Sequence, residues 1–81
     1  MPKVKLMAPS LREQYGVNEL ESDATSVAEV LGELSIDSDN EDLRVLVNGR
    51  AIAFLEGTQT VLSARDVMSV FYTGIRGFPG G

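Results

Sequence analysis

Cysteine, histidine and tryptophan are absent from this 81-residue sequence, and lysine occurs only as Lys3 and Lys5. The lack of cysteine excludes disulfide stapling, thiolate nucleophiles and cysteine metal sites, and is compatible with a reducing cytoplasm. The lack of both cysteine and histidine excludes Ser-His-Asp, Cys-His and zinc-hydrolase arrangements, each of which needs an imidazole or thiolate near neutral pH. The chain is therefore expected to be no independent enzyme, with no catalytic side chain and no metal ligand. Long apolar runs are missing too. Near the N-terminus Pro9 closes the stretch after only Leu6, Met7 and Ala8, too short for a signal peptide or a membrane span, so a cytoplasmic protein with no membrane partner is expected. Positive charge is also scarce. A net charge of -5 disfavours nucleic acid, whose affinity comes from clustered Lys and Arg releasing counterions, and fits a basic protein partner better.

What is present is the composition of a globular domain, 43% hydrophobic and 23% charged, without the charge excess of a disordered chain. A chain of this length forms one domain and buries only about 60 to 65% of the surface its unfolded form exposes, so the core must be small.

Lys3-Val4-Lys5-Leu6 alternates polar and apolar residues, the period of a half-buried strand with Val4 and Leu6 facing inward. Pro9 and Ser10 break the alternation, Leu11 to Tyr15 fits a short helical turn, and Gly16 allows a reversal. A strand around Val17 to Glu21 would complete a hairpin. Val27, Val30, Leu31 and Leu34 then fall on one stripe of an α-helix, with Glu29 and Glu33 opposite. Ser26 and Glu29 have capping-box spacing, with Asp23 an alternative N-cap. Gly32 costs this helix roughly 1 kcal/mol relative to alanine, and its small size is expected to let the helix lie close to a sheet.

Ile36 to Asp42 is an acidic stretch with a surface likeness to a calcium loop. Counted from Asp37, however, such a loop needs glycine where Asp42 stands and glutamate where Asn48 stands, so a solvated loop is expected. Leu43 to Val47 reads as a strand, Asn48-Gly49 as a type I′ turn, and Arg50 to Ile52 as the returning strand. Gly57 begins a turn-rich connection. Val67 to Tyr72 is an apolar run suited to the middle of a sheet, with Phe71 expected in the core. Strand, strand, helix and then three strands make an α+β arrangement, a mixed sheet of four or five strands with one main helix across it, which is the build of the β-grasp. The domain is expected over residues 1–73.

Residues 74–81 hold Gly74, Gly77, Pro79, Gly80 and Gly81, with neither helical nor strand period, and are expected to form a mobile, exposed tail. A terminal diglycine arises by chance about once in 200 chains at average glycine usage. Two residues without Cβ can pass in extended form through a narrow tunnel and present an unhindered carboxylate to a partner's nucleotide. With a pKa of about 3.3 to 3.7, that carboxylate is an anion at neutral pH and a poor electrophile until activated. Gly81 is therefore the candidate reactive residue, with Gly80 and Pro79 threading beside it. Phe78 either anchors in a partner pocket or folds back onto its own sheet. Phe54, Phe71 and Tyr72 are candidates for an apolar docking face, and the acidic excess could steer the chain to a basic enzyme surface.

The stretch Val4-Lys5-Leu6-Met7-Ala8-Pro9-Ser10-Leu11-Arg12-Glu13, with Gly16 after it, resembles the opening of the molybdopterin synthase small subunit (MoaD) family. The likeness continues through Thr25-Ser26-Val27-Ala28-Glu29-Val30-Leu31 and Val45-Leu46-Val47-Asn48-Gly49. The related thiamine-pathway carriers (ThiS) share the helix, sheet and tail but usually lack the Leu-Arg-Glu element. This resemblance implies a ubiquitin-like sulfur carrier with no bound cofactor. It also implies an E1-like adenylyltransferase partner (MoeB/ThiF type) that uses ATP with Mg, and a molybdopterin synthase large subunit partner (MoaE type). Gly81 would then be adenylated and converted to a thiocarboxylate that supplies sulfur to molybdopterin synthesis. The chain departs from the family pattern at Ala64-Arg65-Asp66, where an Asp-Gly-Asp turn is common, and in its tail. The same tail serves a ubiquitin-like modifier joined to target lysines, or a carrier for thiamine or tRNA thiolation, while a plain β-grasp interaction domain would not use it.

Overall fold

A computed structural model describes residues 1–73. Two short hairpins and a helix frame a strand that comes last in sequence and lies in the middle of the sheet. The elements run β1 (Lys3–Leu6), α1 (Pro9–Tyr15), β2 (Glu19–Glu21), α2 (Val27–Glu33), β3 (Leu43–Val47), β4 (Arg50–Ala51) and β5 (Val67–Tyr72). The five strands are ordered β2-β1-β5-β3-β4. β5 runs parallel to β1, with Lys3 beside Val67 and Leu6 beside Val70, and antiparallel to β3. This mixed sheet with a helix packed on one face is the ubiquitin-like β-grasp.

Strand alternation sets the core. Val4, Leu6, Val45, Val47, Met68 and Val70 project from three adjacent strands toward Val27, Val30, Leu31 and Leu34 of the α2 region, and all are buried. Each such side chain contributes about 1.5 to 3 kcal/mol on burial. Leu11 brings α1 into the same cluster. Pro9 opens that helix at its first turn instead of merely breaking the strand, because its missing N–H lies where a helix has no partner to offer. Gly16 closes it at φ 74°, its N–H bonding the Arg12 carbonyl at 2.7 Å.

Ser26 caps α2, its Oγ accepting from the Glu29 N–H at 3.2 Å. The reciprocal arm falls one residue early: the Glu29 carboxylate accepts from the Thr25 N–H at 2.8 Å and the Thr25 hydroxyl at 3.2 Å. The helix ends in a Schellman pattern, with Ser35 N–H bonded to Gly32 O at 3.1 Å and Ile36 N–H to Leu31 O at 2.9 Å. Ser35 takes the left-handed position at φ 56°.

Four expectations are corrected. The second strand starts at Glu19, not Val17, which is exposed. Ile52 does not extend β4 but begins a 3₁₀ turn, Ile52–Phe54. Gly32 is exposed, and a Cβ built on it meets nothing within 4 Å, so no close helix-sheet approach explains it. Phe71 is not core: it alternates with buried Val70 and faces the other side of the sheet, half-buried.

Candidate functional site

The residues proposed for the chemistry, Gly81 with Gly80, Pro79 and Phe78, lie outside the described residues. What the structure describes is the platform from which that segment departs. β5 is hydrogen-bonded on both flanks, by β1 and by β3. Its register with β3 runs out to Leu43 beside Tyr72, and the next residue is tied as well, the Thr73 N–H donating to Asp42 O at 2.8 Å. The described chain thus ends on a centrally held strand.

Beside that end, the sheet has a face that α2 does not cover. The Met7 N–H continues the pairing of β1 with β5 by donating to Val70 O at 2.9 Å. The Arg12 Nε donates to Leu6 O at 2.7 Å, fixing α1 against the end of β1. Between them Met7, Pro9, Leu46, Ser69 and Phe71 line a groove of about 320 Å³. Of the three aromatics considered for docking, Phe71 and Tyr72 both line this groove, Tyr72 also packing against the core. Phe54 is 87% exposed on a 3₁₀ turn outside the sheet.

A second cluster explains how the Ala64-Arg65-Asp66 turn holds its shape without glycine. The Asp66 carboxylate accepts from the Ser63 N–H at 2.8 Å and from the Asn48 side-chain amide at 3.0 Å. Asn48 returns a bond from its other end, its Oδ1 accepting from the Val67 N–H at 3.0 Å. These contacts, the Ser63 backbone bond first and Asn48 second, hold the Asp66 carboxyl below its usual value. Asn48 and Gly49 both have positive φ, 54° and 85°, as the I′ turn requires. The Asn-Gly signal located the turn but not the second task of Asn48, which joins the β3–β4 connection to the start of β5.

Among the described residues no three of His, Cys, Asp and Glu gather as a metal site, and no helix is long and apolar enough to cross a membrane. In the acidic loop Asp37 accepts from the Asp39 N–H and Asn40 from the Asp42 N–H, both at 2.9 Å, so the side chains brace the loop's own backbone.

The family model described as the ThiS family matches residues 4–73. No curated protein matches the chain. Among solved structures, small archaeal modifier protein 1 from Methanosarcina acetivorans is similar at 29% identity and a TM-score of 0.75, covering 88% of this chain and 90% of that one. A putative molybdopterin converting factor, subunit 1, from Pyrococcus furiosus is similar at 25% identity and a TM-score of 0.64, covering 88% and 94%. The BexX/CysO complex of Amycolatopsis orientalis contains a chain sharing the fold at 15% identity and a TM-score of 0.76, covering 90% and 96%.

Proposed function

We infer from the membership of this chain in the ThiS family of ubiquitin-like sulfur carriers that its working group is the carboxylate of Gly81, which carries sulfur for molybdopterin synthesis. The family match carries this reading. It spans the domain up to Thr73, and the sequence beyond adds the glycine-rich segment ending in Gly80-Gly81. The likeness to a putative molybdopterin converting factor subunit supports the pathway.

In the proposed cycle a carboxylate oxygen of Gly81 attacks the α-phosphorus of ATP held with Mg by a MoeB/ThiF-type enzyme, and pyrophosphate leaves. Hydrosulfide then attacks the acyl carbon, AMP leaves, and a thiocarboxylate remains. A MoaE-type large subunit takes up the tail and passes the sulfur to a pterin precursor, and water attacks the acyl carbon to supply the oxygen that restores the carboxylate. The chain supplies the fold and the terminus, and its partners supply the catalysis. This cycle belongs in the cytoplasm, where ATP and the two enzymes meet.

The test is incubation with ATP, an E1-like enzyme and sulfide, followed by intact mass measurement. The expected gain is one oxygen exchanged for sulfur, about 16 Da, mapped to Gly81. An unchanged mass with an enzyme of verified competence would sink the carrier reading.

The 29% identity to an archaeal modifier protein favours a second reading, attachment of Gly81 to target lysines. Conjugates in cell extracts in which the tryptic remnant Gly77-Phe78-Pro79-Gly80-Gly81 is joined to lysine would establish it, and it is compatible with the first.

A further inference from the structure

Phe54 is the most exposed large apolar side chain among the described residues, 87% open to solvent, and the sheet edge beside it holds a hole that it does not fill. β4 pairs with β3 only at Leu46 and Val47 before the chain leaves the sheet at Ile52. Along the outer edge of β3 this leaves a cavity of about 230 Å³, with Leu31, Leu43, Val45, Ile52 and Ala53 around it and Arg44 at its exposed rim. Pockets for drug-sized molecules start at roughly 300 Å³, yet an apolar cavity of about 150 Å³ takes up benzene, so the hole suits one aromatic ring. Its rim and the projecting turn carry opposite charges. The Arg44 Nη1 donates to two neutral carbonyls, Glu41 O at 2.7 Å and Leu43 O at 2.9 Å. Glu56 follows Phe54 on the turn and is exposed. Among the described residues neither Arg44 nor Glu56 enters an ion pair.

We propose that this edge binds a second copy of the same chain, Phe54 of each copy seated in the other's cavity and Glu56 of each meeting the other's Arg44. Ala53 lines the cavity, so Phe54 and the hole are neighbours on one chain. A single two-fold axis between them therefore satisfies both contacts at once and closes the assembly at a dimer. The buried rings supply the affinity, and the rim charges set the register. At about 150 to 250 Å² a ring, two rings and the walls they meet bury less than the roughly 1,200 Å² of a standard interface, so the dimer is reversible, with Kd on the order of 100 μM. Pairing also covers the outer edge of β3 that the short β4 leaves open, where an unrelated strand could otherwise add. Such a dimer is independent of what Gly81 carries.

The experiment is sedimentation equilibrium of the full chain at low salt, from about 10 μM to about 1 mM, across which the average mass is expected to rise from monomer toward dimer. Phe54→Ser is expected to stay monomeric throughout. Symmetry repeats the charge pair, so Arg44→Glu or Glu56→Arg alone turns two attractions into two repulsions and is expected to raise Kd at least about threefold. Arg44→Glu with Glu56→Arg restores opposite charges across the axis and is expected to bring Kd back to within about twofold of the unaltered chain. Val17→Ser, at the opposite edge of the sheet, is expected to change nothing. All the altered side chains are exposed, and thermal melts confirm folding. A chain still monomeric at about 1 mM overturns the proposal. So does a Phe54→Ser chain that associates like the unaltered one, or a double reversal no tighter than the single ones.

Discussion

Asn48 and Asp66, in the I′ turn after β3 and the turn before β5, are joined by a side-chain hydrogen bond of 3.0 Å from amide to carboxylate. Asn48 simultaneously accepts from the Val67 N–H at 3.0 Å, so one side chain ties an edge hairpin to the first residue of the central strand. Asn48→Ala removes both bonds and also puts alanine at positive φ, and is expected to cost about 2 kcal/mol in urea unfolding. In a double-mutant cycle with Asp66→Ala the two losses should fall short of additivity by about 0.5 to 1 kcal/mol. Full additivity would mean that the contact is energetically idle.

Asp66 also sets a pH dependence. Its folded-state pKa is depressed, first by the Ser63 backbone N–H and then by Asn48. The stability it contributes is thus fully present above the unfolded value of about 4 and is lost as pH falls through the lower folded value. Asp66→Asn should therefore be less stable than the unaltered chain at neutral pH, with the two stability curves converging in acid. Parallel curves from pH 7 to pH 2 would assign the acid sensitivity to other carboxylates.

Ser35 occupies the left-handed position after α2 at φ 56°. A left-handed conformation costs a residue with a Cβ roughly 1 kcal/mol, partly offset for glycine by its larger unfolded-state entropy. Ser35→Gly is expected to raise stability by about 0.5 kcal/mol and Tm by about 2 to 4 °C in a calorimetric scan. A lower Tm would show that the serine side chain contributes more than its backbone costs.

Met68 is fully buried, whereas Phe71, three residues on along the same strand, lies half-buried on the open face. Met68→Ala should cost about 2 to 5 kcal/mol in chemical denaturation, and Phe71→Ala less than half as much despite removing more atoms. Equal losses would place Phe71 energetically in the core.

Removing Gly81 should leave the melting temperature unchanged while lowering adenylation by the E1-like enzyme roughly 100-fold, since a terminus one residue short cannot reach the same position at the nucleotide. Retention of full adenylation by the shortened chain would move the reactive group elsewhere.

Much of this fold was legible in the sequence because its periods are clean. Lys3–Leu6 alternates, the Val27–Leu34 stripe is helical, and Asn48-Gly49 permits one kind of turn. Misreadings arose where a residue's surroundings depend on distant neighbours. Val17 fits a strand by propensity, but β2 pairs with β1 only from Glu19 to Glu21. Ile52 likewise fits β4, yet β3 pairs with β4 only as far as Ala51, and Ile52 turns into a 3₁₀ segment. Phe71 looked like core because it is aromatic and central, although alternation with Val70 would have placed it correctly. The groove on the open face was hidden more deeply. Met7, Leu46 and Phe71 become neighbours only through the order β1-β5-β3, a long-range pairing that local pattern does not encode.

The central position of β5 has a consequence for how the chain reaches its folded state. Residues 3–21 and 43–51 can each close a hairpin early, but the two hairpins have no strand between them until β5 inserts, parallel to β1 and antiparallel to β3. Pairings at such sequence separation slow the search for the native state. During synthesis, therefore, neither half of the sheet can be completed before Val67–Tyr72 has been made. A nascent chain cut short upstream of β5 would leave unpaired the backbone N–H and C=O groups of β1 and β3 that β5 satisfies, two open edges prone to wrong pairing.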